Sequence, residues 1–240
     1  NFVATTALKT EGHYQLNGTK SVVLNAASAD VILISARTEG QATDAHGISL
    51  FLVPGDTEGL SRKDYPTVDG LRASEVLLDN VRVPASALVG AEGAASQTLN
   101  TVINRGILAI SAEAVGAMAV LYQSTIDYTK QRVQFDHPLS EFQVVKHRLT
   151  EMFIEYNLAK SLCMKATMLL NQNSGDAQRH IHALKFLIGK TSRFVGQNAV
   201  QLHGGMGMTE DLAIAHYFKR LMMIDATFGH TDIHLDAFVQ

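Results

Sequence analysis

Gly70-Leu-Arg-Ala-Ser-Glu-Val-Leu-Leu-Asp-Asn-Val-Arg-Val-Pro84 is the stretch at which one kind of chain gives way to another. From Ser74 to Val83 apolar and polar residues alternate imperfectly, the period of a half-buried strand, and Pro84 stops the run. Everything before it reads the same way. Residues 2–8, 21–25, 31–36 and 48–53 are short apolar or β-branched runs. Glu39-Gly40, Pro54-Gly55 and Glu58-Gly59 punctuate them. His13-Tyr14-Gln15-Leu16 leads into Asn17-Gly18, a dipeptide suited to the positive φ angles of a tight turn, and this predicts a hairpin there. Short strands at regular spacing predict an antiparallel β-barrel or sandwich.

Beyond residue 92 the period becomes helical. Leu99, Val102, Ile103, Leu108, Ile110, Val115 and Met118 continue one apolar surface to about Lys130. Pro138 is expected to open a second helix at its first turn, where a missing N–H costs nothing. That helix carries Phe142, Val145, Leu149, Met152, Phe153, Tyr156 and Leu158 and ends near Asn173-Ser174-Gly175. A third runs from an Asp176 N-cap to Leu202, where His203-Gly204-Gly205 closes it. A fourth covers roughly residues 210–224, and a short one follows. Long helices with short links predict an antiparallel four-helix bundle. Strands followed by helices, without alternation, give an α+β multi-domain chain, divided here as 1–90 and 91–240.

Composition narrows the function. With 46% hydrophobic and 18% charged residues the chain can bury a core, and a net charge of −3 argues against nucleic-acid binding. No apolar run is expected to approach the 18 residues of a membrane span. Cys163 lies in apolar helical text and reads as a small buried hydrophobe rather than a reactive thiol. A lone cysteine fits a reducing compartment, and the expected location is cytoplasmic. Ten histidines invite a metal, with His230 and His234 four apart and His180 and His182 two apart, but no Cys or carboxylate completes a ligand set at metal-site spacing, and no paired Glu-x-x-His motif suggests a di-metal bundle. The expected metal set is none.

Two stretches carry unusual chemistry. Gln201-Leu-His-Gly-Gly-Met-Gly-Met208 places three glycines at a helix end, which lets a backbone approach a phosphate closely; a C-cap with a tight helix–helix turn explains it equally. Arg132-Val-Gln-Phe-Asp-His-Pro138 with Phe142-Gln143 gathers a guanidinium, an aromatic ring and an amide in one interhelix turn. Together they could clamp a phosphate and cover a flat ring, or be a solvated Arg beside a core Phe.

In this order and at these separations, the three stretches resemble the acyl-CoA dehydrogenase family over the whole chain. Residues 70–84 look like its last β-domain strand. Residues 130–138 with Phe142-Gln143 resemble its R-x-x-F-G-x-P turn followed by F-Q or H-Q. Gln201 to Gly207 resembles its Q-x-x-G-G-x-G. The resemblance implies a subunit of N-terminal helices, β-domain and helical bundle. The N-terminal helices are absent from this sequence, which opens at Asn1 directly in strand-like text, so it reads as a fragment. It further implies FAD, an acyl-CoA substrate, an electron-transfer flavoprotein or similar acceptor, and a homo- or hetero-oligomer, a dimer of dimers. By the same resemblance Arg132, Phe135 and Gln143 contact the FAD of a neighbouring subunit. Gln201, Gly204 and Gly205 approach its adenosine-diphosphate part, and Thr231 and Asp232 lie against FAD. The implied reaction, part of fatty acid metabolism, removes an α-proton and a β-hydride to give a trans-2-enoyl-CoA.

The departures are specific. Thr227-Phe-Gly-His-Thr231 lies over the family's I-Y-E-G-T, so Gly229 holds the usual position of the catalytic glutamate. The alternative position, on the first long helix, holds Asn104 or Gly106. Glu113 is a carboxylate within the apolar text of that helix; buried, it could act as a base, and paired to a neighbouring helix it would not. Val22 and Leu24 stand where the family has a flavin-stacking Trp and a Thr, and Asp136 replaces a Gly. Residues 111–116 and 203–220 resemble small subunits of two-component dehydrogenases acting on dicarboxyl-CoA esters such as pimeloyl-CoA. The expectation is therefore an FAD-dependent subunit that is inactive as a fragment. The alternatives are a non-catalytic partner subunit and a flavin-free bundle that binds another protein.

Overall fold

A computed structural model describes residues 2–240, a seven-stranded sheet followed by five α-helices, in two compact units, Asn1–Val102 and Ile103–Gln240. In the first unit the strands are β1 (Thr6–Thr10), β2 (His13–Leu24), β3 (Val31–Arg37), β4 (Ile48–Pro54), β5 (Leu60–Pro66), β6 (Arg72–Pro84) and β7 (Leu88–Val89), in the order β5-β6-β2-β1-β3-β4-β7. All neighbours pair antiparallel except β1 and β3, which meet in parallel at Thr6 and Arg37. Alternate side chains of β2, β3, β4 and β6 form the core, including Tyr14, Leu16, Ile34, Phe51, Val76 and Val81. Tyr14 and Phe51 meet at 4.9 Å between ring centroids.

The predicted hairpin at Asn17-Gly18 is corrected. The chain reverses at Glu11-Gly12, where Gly12 has φ 76° and Thr10 pairs with His13. Asn17-Gly18 lies inside β2 at a register shift against β6, a bulge that the same positive-φ preference serves. Gly18 is required there, because a Cβ would lie 2.8 Å from Thr5 Cα. The strand β5 went unread because its residues are mostly polar and exposed, as an edge strand's are.

The second unit holds most of α1 (Ser96–Gln131), then β8 (Val133–Gln134), β9 (His137–Pro138), α2 (Gln143–Asn171), α3 (Ala177–His203), α4 (Ala213–Ala226) and α5 (Thr231–Val239). Pro138 does not start α2. It ends β9, and a 3₁₀ turn, Leu139–Glu141, separates it from the helix. The helix α3 is central, burying Ile181, Leu184, Ile188, Val195 and Ala199 at three- and four-residue spacing. Met118 and Leu121 of α1, Met152 of α2 and Leu221 of α4 close the same core. Gly196 lets the Phe218 ring of α4 sit on the backbone of α3. Cys163 is buried, and burial raises its thiol pKa, so it behaves as packing.

Helix α1 contains no unbroken apolar run of 18 residues, but its average is high. An 18-residue window of α1 reaches a mean hydropathy of 1.4, so by length and composition this helix is apolar enough to cross a membrane. Ala, Ile, Leu, Val and Met residues between isolated polar ones raise the average. The helix nonetheless buries Ser111 and Thr125 beside Met118 and Leu121, the pattern of a bundle helix.

Candidate functional site

The exit from α1 builds an unusual corner. Strands β8 and β9 form a two-residue hairpin whose turn residues, Phe135 and Asp136, have φ of 54° and 63°. Positive φ at both positions is the type I′ turn, which Asn-Gly adopts cheaply and a bulky Phe does not. The Phe135 ring is 85% exposed and meets the edge of Phe142 at 6.4 Å. Arg132, exposed, starts the turn: its N–H donates to Tyr128 O, and its carbonyl accepts from Leu139 N–H, both at 2.9 Å. Gln143, also exposed, opens α2 directly after Phe142. The fold thus presents a cation, a flat ring and an amide at one corner.

The end of α3 comes to the same corner. Tyr128, one turn before Arg132, stacks on His203 at 4.3 Å, and its hydroxyl reaches His203 O at 3.4 Å. Beyond His203 the chain turns through Gly204, φ 60°, into a short 3₁₀ segment. A Cβ at Gly204 or Gly205 would meet nothing within 4 Å, whereas one at Gly207 would strike Val200 O at 2.6 Å. Gly207 therefore serves packing, and Gly204 and Gly205, exposed beside Gln201, leave bare backbone open to an approaching group. The motif residues were legible in the sequence. Tyr128 and His203, which join the two motifs, were not read as a pair because 75 residues separate them. Burial lowers the pKa of His203, and the contact of its Nδ1 with Ala199 O, at 2.8 Å, works against that shift.

Thr231 and Asp232 are elsewhere. They open α5 beside Gly189 of α3, whose Cβ would collide with Thr231 Oγ1 and Asp225 Oδ1. Gly189 precedes Gly204 by 15 residues of helix, a separation of roughly 22 Å. Buried Asp225 accepts from Thr231 Oγ1 at 2.5 Å and faces Arg193 Nη2 at 3.3 Å and His230 Nε2 at 3.2 Å. Phe186, Lys190, Arg193, His230 and Asp232 line a cleft of about 260 Å³ here. The candidate residues thus form two patches, one at the C-terminal end of α3 and one beside its middle.

None of the candidate base positions offers a free carboxylate. Glu113 is not buried. It is 45% exposed and forms a two-pronged ion pair with Arg220 of α4, at 2.5 Å and 2.9 Å. That is the paired alternative, and the buried-base premise is corrected. Gly229 has φ 102°, and a Cβ there would lie 3.0 Å from His234 Nε2. Gly106 is covered by Phe228, whose ring atoms would stand 2.8 Å from a Cβ on it. Asn104, half-buried, lies half a turn earlier. In the sheet unit, Val22 has φ 54° in the bulge between Lys20 and Val23, half-exposed, its N–H donating to Glu75 Oε1 at 3.3 Å. Leu24, also exposed, ends β2. Among the described residues no group of three His, Cys, Asp or Glu side chains could hold a metal.

Two family profiles divide nearly the whole chain. Residues 1–81 match the acyl-CoA dehydrogenase middle domain, and residues 85–240 match the acyl-CoA dehydrogenase C-terminal domain. The chain belongs to the acyl-CoA dehydrogenase family. A probable acyl-CoA dehydrogenase of Bacillus subtilis is 30% identical over 232 residues, covering 95% of this chain and 61% of that protein. A crystal structure of an acyl-CoA dehydrogenase from Geobacillus kaustophilus superposes with a TM-score of 0.92 at 29% identity, covering 99% of this chain and 63% of that one. The FAD complex of PigA superposes equally, with a TM-score of 0.92, 29% identity, and 99% and 62% coverage. The chain therefore spans about three-fifths of these relatives. The β-domain followed by a helical bundle expected from the sequence is the acyl-CoA dehydrogenase arrangement of middle and C-terminal domains.

Proposed function

We propose that this acyl-CoA dehydrogenase chain is the flavin-facing part of an FAD-dependent subunit that dehydrogenates an acyl-CoA thioester to its trans-2-enoyl form. The observation that carries the reading is Phe135, an aromatic ring held 85% exposed on a backbone with φ 54°. Strain of this kind persists where the surroundings enforce it, and it marks surfaces kept for a ligand. Residues at both patches fit FAD. Bare Gly204 and Gly205, whose Cβ positions are open, would admit a diphosphate, and Arg132 would neutralise it. Phe135 and Gln143 would cover a flat ring and donate to it. Thr231 and Asp232, some 22 Å away along α3, would meet a different stretch of cofactor or a second FAD in an oligomer. When bound, FAD supplies the hydride acceptor. The chain's own part is to hold it, exclude water and fix the substrate-side wall at Phe228. Electrons would then leave to an electron-transfer flavoprotein or similar acceptor, and the domain boundary is placed near residue 90.

A second reading has its own support. Gly229, Asn104 and the Arg220-bound Glu113 leave no carboxylate free to take the α-proton, which favours a heteromer in which a partner subunit supplies the base. One experiment separates the readings. The protein is produced from its complete open reading frame, alone and with a co-expressed partner subunit, and mixed anaerobically with acyl-CoA esters. Bleaching of the flavin by the protein alone supports a catalytic subunit, and bleaching only with the partner supports the heteromer. Flavin that never bleaches with any ester sinks the dehydrogenase reading.

A further inference from the structure

The turn of residues 227–230 is held in place by several buried groups. Phe228 has φ 58° and Gly229 φ 102°, so an aromatic residue occupies the left-handed region directly before a glycine that needs it. Two buried side chains hold it from behind. His234 of α5, 4% exposed, lies with Nε2 3.0 Å from Phe228 O. Lys185 of α3, fully buried, donates from Nζ to Gly229 O at 2.9 Å and to Asp225 O at 2.8 Å. A carbonyl only accepts, so His234 carries its proton on Nε2 and its Nδ1 is bare. His182 of α3 stands 3.0 Å from that Nδ1 through its own Nδ1, which must therefore be the donor. One hydrogen-bonded line thus runs from the half-buried His182 through His234 to the backbone of Phe228.

We propose that His182, His234 and Lys185 are positioning residues that set Phe228 against Gly106 and shape the substrate-facing turn, and that uptake of a proton by the histidine line releases it. This rests on the dehydrogenase reading only for what the turn faces. The line holds one proton between the two Nδ1 atoms. A second proton on His234 puts two N–H groups nose to nose unless His182 changes tautomer. The charged and titratable neighbours are Lys185 and Arg193 from α3, Asp225 from α4, His230 from the turn and Asp232 from α5. Lys185 opposes a second cation in the cluster and Asp225 favours it, while burial keeps both His182 and His234 on the neutral side. The same imidazole explains position 229. His234 Nε2 stands 3.0 Å from where a Cβ would be, so a side chain at 229 would crowd the imidazole that fixes the turn.

The test uses the protein from its complete open reading frame, labelled with fluorophenylalanine, the Phe228 resonance being assigned by its loss in Phe228→Leu. On acidification the Phe228 signal should move together with the ring protons of His182 and His234. In His182→Gln, which leaves His234 in place, that movement should be lost while the folded spectrum is kept. A Phe228 signal that ignores the histidine titration, or one that still follows pH unchanged in His182→Gln, overturns the proposal. Where flavin bleaching is measurable, the acid limb of its rate should shift in His182→Gln, and an unmoved limb also counts against it. Colourless protein would defeat the dehydrogenase reading alone, since the resonance test does not need flavin.

Discussion

At the scale of single residues, backbone strain is held where the surrounding fold enforces it. Phe135, Asp136, Val22 and Phe228 all hold positive φ without being glycine. For an L-residue that conformation costs about 1–2 kcal/mol, and a glycine recovers part of it. Phe135→Gly should therefore stabilise the fold by up to about 1 kcal/mol in denaturant unfolding. The same change should weaken FAD binding on the order of tenfold, as loss of a stacking ring does. A variant losing both stability and flavin would mean that Phe135 is ordinary packing. Gly189 illustrates the opposite case. Gly189→Ala would normally favour a helix, yet its Cβ collides with Thr231 Oγ1 and Asp225 Oδ1, so a loss of about 1–3 kcal/mol is expected in thermal unfolding. The motif residues Arg132, Phe135, Gln143, Gln201, Gly204 and Gly205 could be named from sequence because they sit in two short local stretches that resemble the family's motifs. The Glu113–Arg220 pair could not, since 107 residues separate the partners.

At the scale of elements, α3 organises the second unit. Leu184 is fully buried in the shared core, and Leu184→Ala should cost about 3 kcal/mol in chemical denaturation. Within the buried face, directly after Leu184, the same element hides Lys185, whose pKa burial lowers to about 8, with Asp225 pulling it back up. The folded state therefore gives up this proton near pH 8, while the unfolded chain keeps it to about the ordinary 10.5. Between those values the unfolded state binds more protons, so raising the pH stabilises the fold. Lys20 in the sheet, also lowered to about 8 by burial, adds to the same slope. Lys185→Met should flatten the rise between pH 8 and 10, measured by denaturant midpoints, and an unchanged slope would mean that Lys185 titrates like a solvated lysine. Helix periodicity was legible because α1, α2 and α3 are long. The turn at Asn17-Gly18 was misread because bulges and hairpins ask for the same residues, and only pairing with β6 distinguishes them.

At the scale of the whole molecule, the change of period after Pro84 was enough to give two domains and their order, and two family profiles divide the chain between residues 81 and 85. What local text could not supply was the arrangement of the candidate residues into two patches, one at the C-terminal end of α3 and one beside its middle, because tertiary contacts such as Tyr128 on His203 and Thr231 beside Gly189 create it. It also could not tell that the turn at Gly229 closes on His234. The central claim is that these patches bind FAD. The most direct measurement is the visible spectrum and flavin content of the protein purified from its complete open reading frame and incubated with FAD. The account predicts yellow protein with stoichiometric FAD, and a large loss of flavin in Arg132→Ala with folding unchanged. Folded protein that stays colourless after reconstitution would contradict it.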